Sequence, residues 1–206
     1  MPGKFIVFEG GEKSGKSTQI ELLQKYLESK NFQVVLTREP GSKLSTITQS
    51  IREIILNNKN TNLTARAELL LFLADRAQHV AEIIQPALEQ GKIVLCDRFD
   101  GSTFAYQGAA RHLDLAEIKP MNTWAKSGLE PDLVVYLDIT PEQAMARSRG
   151  EKHDRLDAEN KDFHEAVRAG YLEQAKQVNW FSLSALGEVA EISKNIQQAV
   201  DKMLSI

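Results

Sequence analysis

One stretch, Gly10-Gly11-Glu12-Lys13-Ser14-Gly15-Lys16-Ser17, restricts what this chain can fold into more than any other. It is a complete G-x-x-x-x-G-K-[ST] phosphate loop, preceded by the apolar run Phe5-Ile6-Val7-Phe8 and followed, from Thr18 onward, by an amphipathic segment. That strand–loop–helix setting is the context in which the motif works. Gly10 and Gly15 allow backbone angles closed to other residues, so that successive N–H groups curl around phosphate oxygens. The helix that follows points its positive end at the same anion. In such a loop Lys16 reaches the terminal phosphates of a nucleotide and the Ser17 hydroxyl ligates the bridging magnesium ion, which makes ATP–Mg the expected ligand. The other reading, a glycine-rich turn with an exposed lysine, leaves the flanking strand and helix without a purpose.

The chain of 206 residues carries no Pro/Gly/Ser-rich linker or charge block, which predicts a single domain over 1–206. A formal charge of −3 and a pI near 5.9 provide no general basic field, so neither nucleic acid nor an anionic membrane surface is expected as a partner. The single cysteine, Cys96, sits in an apolar run and allows no intramolecular disulfide, which suits a reducing cytoplasm. Met1 runs directly into the first predicted strand without a signal-peptide pattern, and every apolar run is too short to span a bilayer, so a cytoplasmic protein is expected.

Strand and helix patterns then alternate along the chain. Ile20, Leu23 and Leu27 recur at helical spacing and Asn31 ends that helix; a strand over 32–37 breaks at Arg38-Glu39-Pro40-Gly41. Residues 45–56 read as a helix from which Arg52 projects. A long helical pattern over 65–90 is interrupted at Pro86 and stopped by Gly91. Within it Phe72 and Arg76 share a face. Ile93-Val94-Leu95-Cys96 reads as a strand covered on both sides, ending in Asp97-Arg98. Leu133 to Leu137 is a fourth strand, after which Thr140 caps a helix beginning at Pro141. A last strand near 181–184 and a terminal helix to Met203 complete the pattern. This alternation defines an α/β fold with a mainly parallel sheet, whose ligands bind beyond the carboxyl ends of the strands. The phosphate loop, Arg38-Glu39 and Asp97-Arg98 all fall there, and a common cleft follows.

Phosphoryl transfer needs positioning and charge neutralisation more than covalent chemistry. Asp97 reads either as a strand-end turn residue or as the carboxylate for the metal or its water shell; Arg98 beside it favours a site built for anions. Arg52 and Arg76 read either as solvated helix positions or as cations around a second phosphorylated molecule. Phe72 reads as core or as a platform for a planar heterocycle whose carbonyl an arginine could meet. The polar segment from Arg147 to about 162, with Gly150 in its middle, reads as a surface loop or as a mobile lid that closes over phosphates and supplies cations. The histidines show no metal spacing and receive no role, and Trp124 and Trp180 are expected in the core or an interface.

Taken together, FEGGEKSGKST, TREPG, LLFLADRAQH, DRFDGSTFAYQG and VVYLDITPE, followed by a lid with Arg-Gly-Glu and Asp154-Arg155, resemble the bacterial thymidylate kinases, in the family's order. DRFDGSTFAYQG is the most specific of these windows. The resemblance implies transfer of the ATP γ-phosphate to dTMP, a P-loop kinase fold with a five-stranded parallel sheet flanked by helices, and a homodimer. It implies that Phe72 stacks on thymine, that Arg76 bonds its O4, and that Thr103 and Gln107, with Ser102 adjoining, read the base. Tyr106 then crowds the sugar, Arg98 and Arg52 bind phosphate, Glu39 and Asp97 surround the metal and acceptor phosphate, and Glu12 lies near the 3′-hydroxyl. Around Gly41-Ser42-Lys43 the chain runs about two residues longer than its relatives before Arg52. Family members place the catalytic cation in the phosphate loop or the lid, and this chain has Lys13 in one and Arg147, Arg149 and Lys152 in the other. Arg149 is the expected dominant one. The competing readings are a kinase for another small acceptor, a catalytically dead nucleotide-binding module, and a GTP-dependent switch, which lacks its guanine-reading N-K-x-D segment here.

Overall fold

The computed structural model describes residues 3–147 and 154–206. Five strands, β1 (Lys4–Glu9), β2 (Val34–Arg38), β3 (Ile93–Asp97), β4 (Leu133–Asp138) and β5 (Trp180–Ser184), form one sheet in the order β2-β3-β1-β4-β5. Every pairing is parallel, as the strand–helix alternation predicts. Strand β1 lies between β3 and β4, so the chain crosses to opposite sides of it, and a crevice opens at its carboxyl end.

The continuous apolar runs have a simple cause, since alternate residues of each strand enter different cores. Ile6, Phe8, Leu95 and Val135 pack under α1 (Lys16–Ser29) and α9 (Val189–Leu204) through Leu23, Leu27, Ile196 and Val200. Phe5, Val7, Val94 and Cys96 face the other side, against Val80, Ile84 and Phe99. With both faces covered, no polar alternation survives. Each of these carboxyl ends instead carries a polar residue: Glu9, Arg38, Asp97 and Asp138 close β1 to β4, and Arg38 and Asp97 line the crevice.

Helix starts follow capping chemistry. Ser45 accepts from Thr48 N ahead of α2 (Thr46–Leu56), and Thr64 accepts from Ala67 N ahead of α3 (Ala65–His79). The predicted interruption at Pro86 is felt upstream of it. Proline lacks an N–H and crowds the carbonyl four residues back, and Val80–Ile84 is π-helical before α4 (Gln85–Glu89) resumes. Gly91, at φ 72°, then ends the segment. A second π-helical stretch, Phe104–Ala110, follows the short α5 (Asp100–Thr103). Beyond it lie α6 (Leu115–Ala125), α7 (Pro141–Arg147) and α8 (Lys161–Gln174). Of the expected lid, Arg147 closes α7 and residues 154–160 form turns leading into α8; Arg149 and Lys152 lie outside the described residues.

Candidate active site

The crevice is a cavity of about 620 Å³. One end is the phosphate loop. Gly10 has φ 146°, and a Cβ there would lie 2.6 Å from Leu137 O, so only glycine fits. Gly15, at φ 88°, caps α1 in the left-handed region. Lys13 takes the same region at φ 57°. Lys16 is buried, its ammonium donating to Gly10 O at 3.2 Å and Gly11 O at 3.0 Å and lying 3.5 Å from Ser14 Oγ. Burial, with the Arg98 guanidinium adding to it, pushes this ammonium down to about 8. Ser17 and Thr18, by contrast, stand exposed on the first turn of α1, on the cavity wall.

The centre is held by Arg98, a non-glycine residue at φ 70° whose N–H donates to Phe8 O at 2.8 Å. Backbone strain of this kind concentrates where a side chain must be aimed. Its guanidinium donates to Gly10 O (2.8 Å) and Tyr171 Oη (2.9 Å), lies 3.5 Å from Glu12 and sits 5.5 Å over the Tyr106 ring. Against the cost of burial, Arg98, Lys16 and Lys13 hold the Glu12 carboxyl below its ordinary range. Asp97 is on the same wall, and its buried Oδ1 has no hydrogen-bond partner among the described residues. An orphaned carboxylate oxygen next to an exposed serine on the phosphate-loop helix fits Mg²⁺, which takes few protein ligands and completes its shell with phosphates and water. Among the described residues no group of three or more His, Cys, Asp or Glu side chains is placed to hold a metal ion.

The other end is built from side chains. Arg76, fully buried rather than solvated, donates to Glu39 Oε2 through Nε (2.9 Å) and Nη2 (2.8 Å), to Phe99 O (2.9 Å), to Thr103 Oγ1 (2.8 Å) and to Asn122 Oδ1 (2.5 Å). All N–H groups of the guanidinium are engaged within the protein, so a base carbonyl could meet Arg76 only by sharing one of them. Glu39, also buried, takes His79 on its second oxygen at 3.0 Å, and His79 reaches Thr37 Oγ1 at 2.6 Å. Beside them Asp75 Oδ1 accepts from Gly41 N at 2.9 Å while Oδ2 has no partner. Burial, reinforced by Glu39, pushes the Asp75 carboxyl up to about 7. Phe72 is half-buried on this wall, and Thr103, Tyr106 and Gln107, which also line it, are buried.

Arg52 and Arg38 flank the Pro40-Gly41 turn, Arg52 donating to Pro40 O (2.7 Å) and Arg38 to Gly41 O (3.1 Å). Both line the cavity, so Arg52 stands at the crevice. Ser102 does not project freely: its N–H and hydroxyl both donate to the fully buried Glu9, at 3.0 and 2.7 Å. Arg147 donates to Lys13 O (3.0 Å) and Ala185 O (2.6 Å), tying α7 to the phosphate loop.

Several residues of the site carry no motif. Glu9, His79, Glu68, Asn122 and Tyr171 are all buried beneath the cavity and bonded to its walls. His79 corrects the expectation that the histidines have no role. Glu68, Arg76 and His79 do recur at helical spacing on one side of α3, but that spacing does not tell a buried polar stripe from a solvated one. Trp124 is 83% exposed, which removes it from the core and leaves the interface reading.

A parallel sheet with a phosphate loop at its central strand, an arginine and an orphaned carboxylate beyond it, and a second binding wall within the same cavity define a phosphate-loop phosphotransferase. The family model described as thymidylate kinase matches residues 8–196, and the chain belongs to that family. A thymidylate kinase of Caldanaerobacter subterraneus is 41% identical over 206 residues, 99% of this chain and 98% of its own length. One of Halothermothrix orenii is 45% identical, covering 97% of each chain, and one of Clavibacter sepedonicus is 51% identical over 84% of this chain and 81% of its own.

Proposed function

We propose that the chain transfers the γ-phosphate of ATP to dTMP, giving dTDP, with Mg²⁺ as the metal. The observation that carries this reading is that one cavity is lined by the phosphate loop and also by Phe72, Arg76, Thr103 and Gln107. The backbone N–H groups of 10–18 would receive the ATP phosphates, with Lys16 toward the terminal ones, and Ser17 and Asp97 would hold Mg²⁺, whose charge would offset the negative charge that builds up in phosphoryl transfer. Arg98 stands between donor and acceptor, with its charge directed where the transferring group passes. Phe72 offers a ring face to thymine, Tyr106 fills the space beside the sugar, and Arg52 with Arg38 gives the acceptor phosphate a second cationic flank. Glu12 is held ionised near the sugar side of Arg98. Arg147 ties α7 to the loop, and Arg149 is the lid cation proposed to reach the transferring group.

The same reading includes a homodimer and a cytoplasmic location. Helix α3 packs beside both α2 and α6, and together they expose Ile47 (52%), Ile54 (47%), Leu70 (58%) and Trp124 (83%), the apolar surface that a symmetric dimer buries. Among the described residues no helix is long and apolar enough to cross a membrane. A nucleotide switch leaves the buried acceptor wall unexplained.

The test is dTDP formation from ATP–Mg, followed by chromatography, with dTMP, dUMP, dCMP, UMP and AMP offered separately beside a water control. Strong turnover with dTMP, weaker turnover with dUMP and almost none with the others is the expected result. Slow hydrolysis that no acceptor accelerates would contradict it.

A further inference from the structure

Beneath Gln107 lies a carboxylate that touches neither nucleotide. Glu68, on α3, is 0% exposed. Its Oε1 accepts from Gln107 Nε2 at 2.9 Å and from Arg111 Nε at 3.3 Å; its Oε2 accepts from Arg111 Nη2 at 3.3 Å and from Arg155 Nη2 at 2.6 Å. Arg111 continues to Glu159 at 2.6 Å, and Arg155 also donates to Ile55 O at 2.9 Å. One buried anion thus joins α3, the π-helical stretch that carries Gln107, and the turns after residue 153.

We propose that Glu68 is a specificity-determining positioning residue: it fixes which way round the Gln107 amide faces the acceptor base. An ionised carboxylate only accepts, so the amide must turn its NH₂ toward Glu68, and the carbonyl oxygen then faces the cavity that Gln107 lines. An amide free of this partner could flip and present either group at little cost. Held as it is, Gln107 offers a lone pair to the base edge. A pyrimidine with an N–H at ring position 3, thymine or uracil, is accepted. Cytosine, whose N3 is itself a lone pair, meets acceptor against acceptor. Arg155 and Arg111 donate to the lone pairs of Glu68 that Gln107 leaves free, so the carboxylate is held from three sides while its contact to the amide stays direct. This inference rests on the dTMP reading above.

The test compares wild type, Glu68→Gln, Arg111→Gln and the charge-balanced Glu68→Gln/Arg111→Gln protein, each assayed with dTMP and with dCMP at saturating ATP–Mg, with melting temperatures recorded. The neutral side chain at 68 can donate as well as accept, so the Gln107 amide is no longer locked. The ratio of kcat/KM for dTMP to that for dCMP is expected to fall about tenfold or more in both proteins carrying Glu68→Gln. That fall should come through the acceptor KM, with the KM for ATP unchanged within about twofold. Arg111→Gln alone keeps Glu68 and should hold the ratio. The double variant removes one charge of each sign and so remains assayable if the single one unfolds. Equal losses for both acceptors, an unchanged ratio, or failure of both Glu68 variants to fold would make Glu68 a structural residue only and overturn the proposal. Absence of dTDP from wild type would instead refute the dTMP reading itself.

Discussion

The two ends of the cavity are built by different means. At the donor end the work is done by backbone, with Gly10 and Gly15 in special conformations, Ser17 and Thr18 exposed, and Lys16 held by loop carbonyls and a serine. At the acceptor end it is done by side chains locked to one another: Arg76, Glu39, His79 and Thr37 form one buried chain of hydrogen bonds, and Glu68 with Gln107, Arg111 and Arg155 forms another. Triphosphate is the same in every reaction of this class, so a backbone cradle suffices for it. A base must be told from other bases, and that requires polar groups with fixed directions and satisfied partners.

Because the donor end is loosely coupled to the core, its charge should be removable without unfolding the protein. Lys16→Ala is expected to lower turnover by about 10³-fold or more while leaving the melting temperature within a few degrees of wild type. A large loss of stability in that variant would erase the contrast between the ends. The acceptor end should behave in the opposite way. Arg76→Met leaves Glu39 buried without its ion-pair partner, which costs about 3–5 kcal/mol. At roughly 2–4 °C per kcal/mol for a chain of this size, thermal unfolding should move down by about 10 °C, alongside the loss of dTMP turnover. An Arg76→Met protein as stable as wild type would show the wall to be a contact surface rather than part of the core.

The pH dependence sharpens the contrast. The Lys16 ammonium is held down to about 8 by burial and Arg98, whereas bound phosphates favour its charged form. ATP binding is therefore at full strength below pH 8 and weakens above it, with KM for ATP rising by up to about tenfold per pH unit. A KM for ATP that is flat from pH 7 to 9.5 would contradict the placement of Lys16. The smallest effect belongs to Asp75. Its carboxyl is up at about 7, so between its ordinary range and that value the folded state binds more protons than the unfolded one, and stability falls as pH rises through the window. Asp75→Asn removes that cost. Its melting temperature should exceed wild type by a few degrees at pH 8 and by less at pH 5. Equal shifts at both pH values would place the effect in packing.

The same contrast explains what the sequence disclosed. The donor end is contiguous, so its loop, strand and helix could be read from residues 5 to 27, and the strand–helix alternation carried the parallel sheet. The acceptor end is assembled across the chain: Arg76 meets Glu39, 37 residues away, and Asn122, 46 away. No local pattern states that Arg76 is buried. Phe72 was legible as a platform from the face it shares with Arg76, whereas Thr103 and Gln107 could be named only through resemblance to a family; Glu9, Glu68 and His79 were left out because buried polar residues look like solvated ones until their partners are known. The π-helical stretches Val80–Ile84 and Phe104–Ala110 were illegible too: Pro86 marks an interruption but not its form, and the second stretch has no proline to mark it.

The most direct test of two separately built walls is the dissociation constant of dTMP, by titration calorimetry, for Lys16→Ala beside wild type. The account predicts a constant within about threefold of wild type, even though turnover has fallen by orders of magnitude. A dTMP affinity that collapses together with turnover would mean that donor and acceptor are held by one indivisible site, and the division drawn here between backbone cradle and side-chain wall would be wrong.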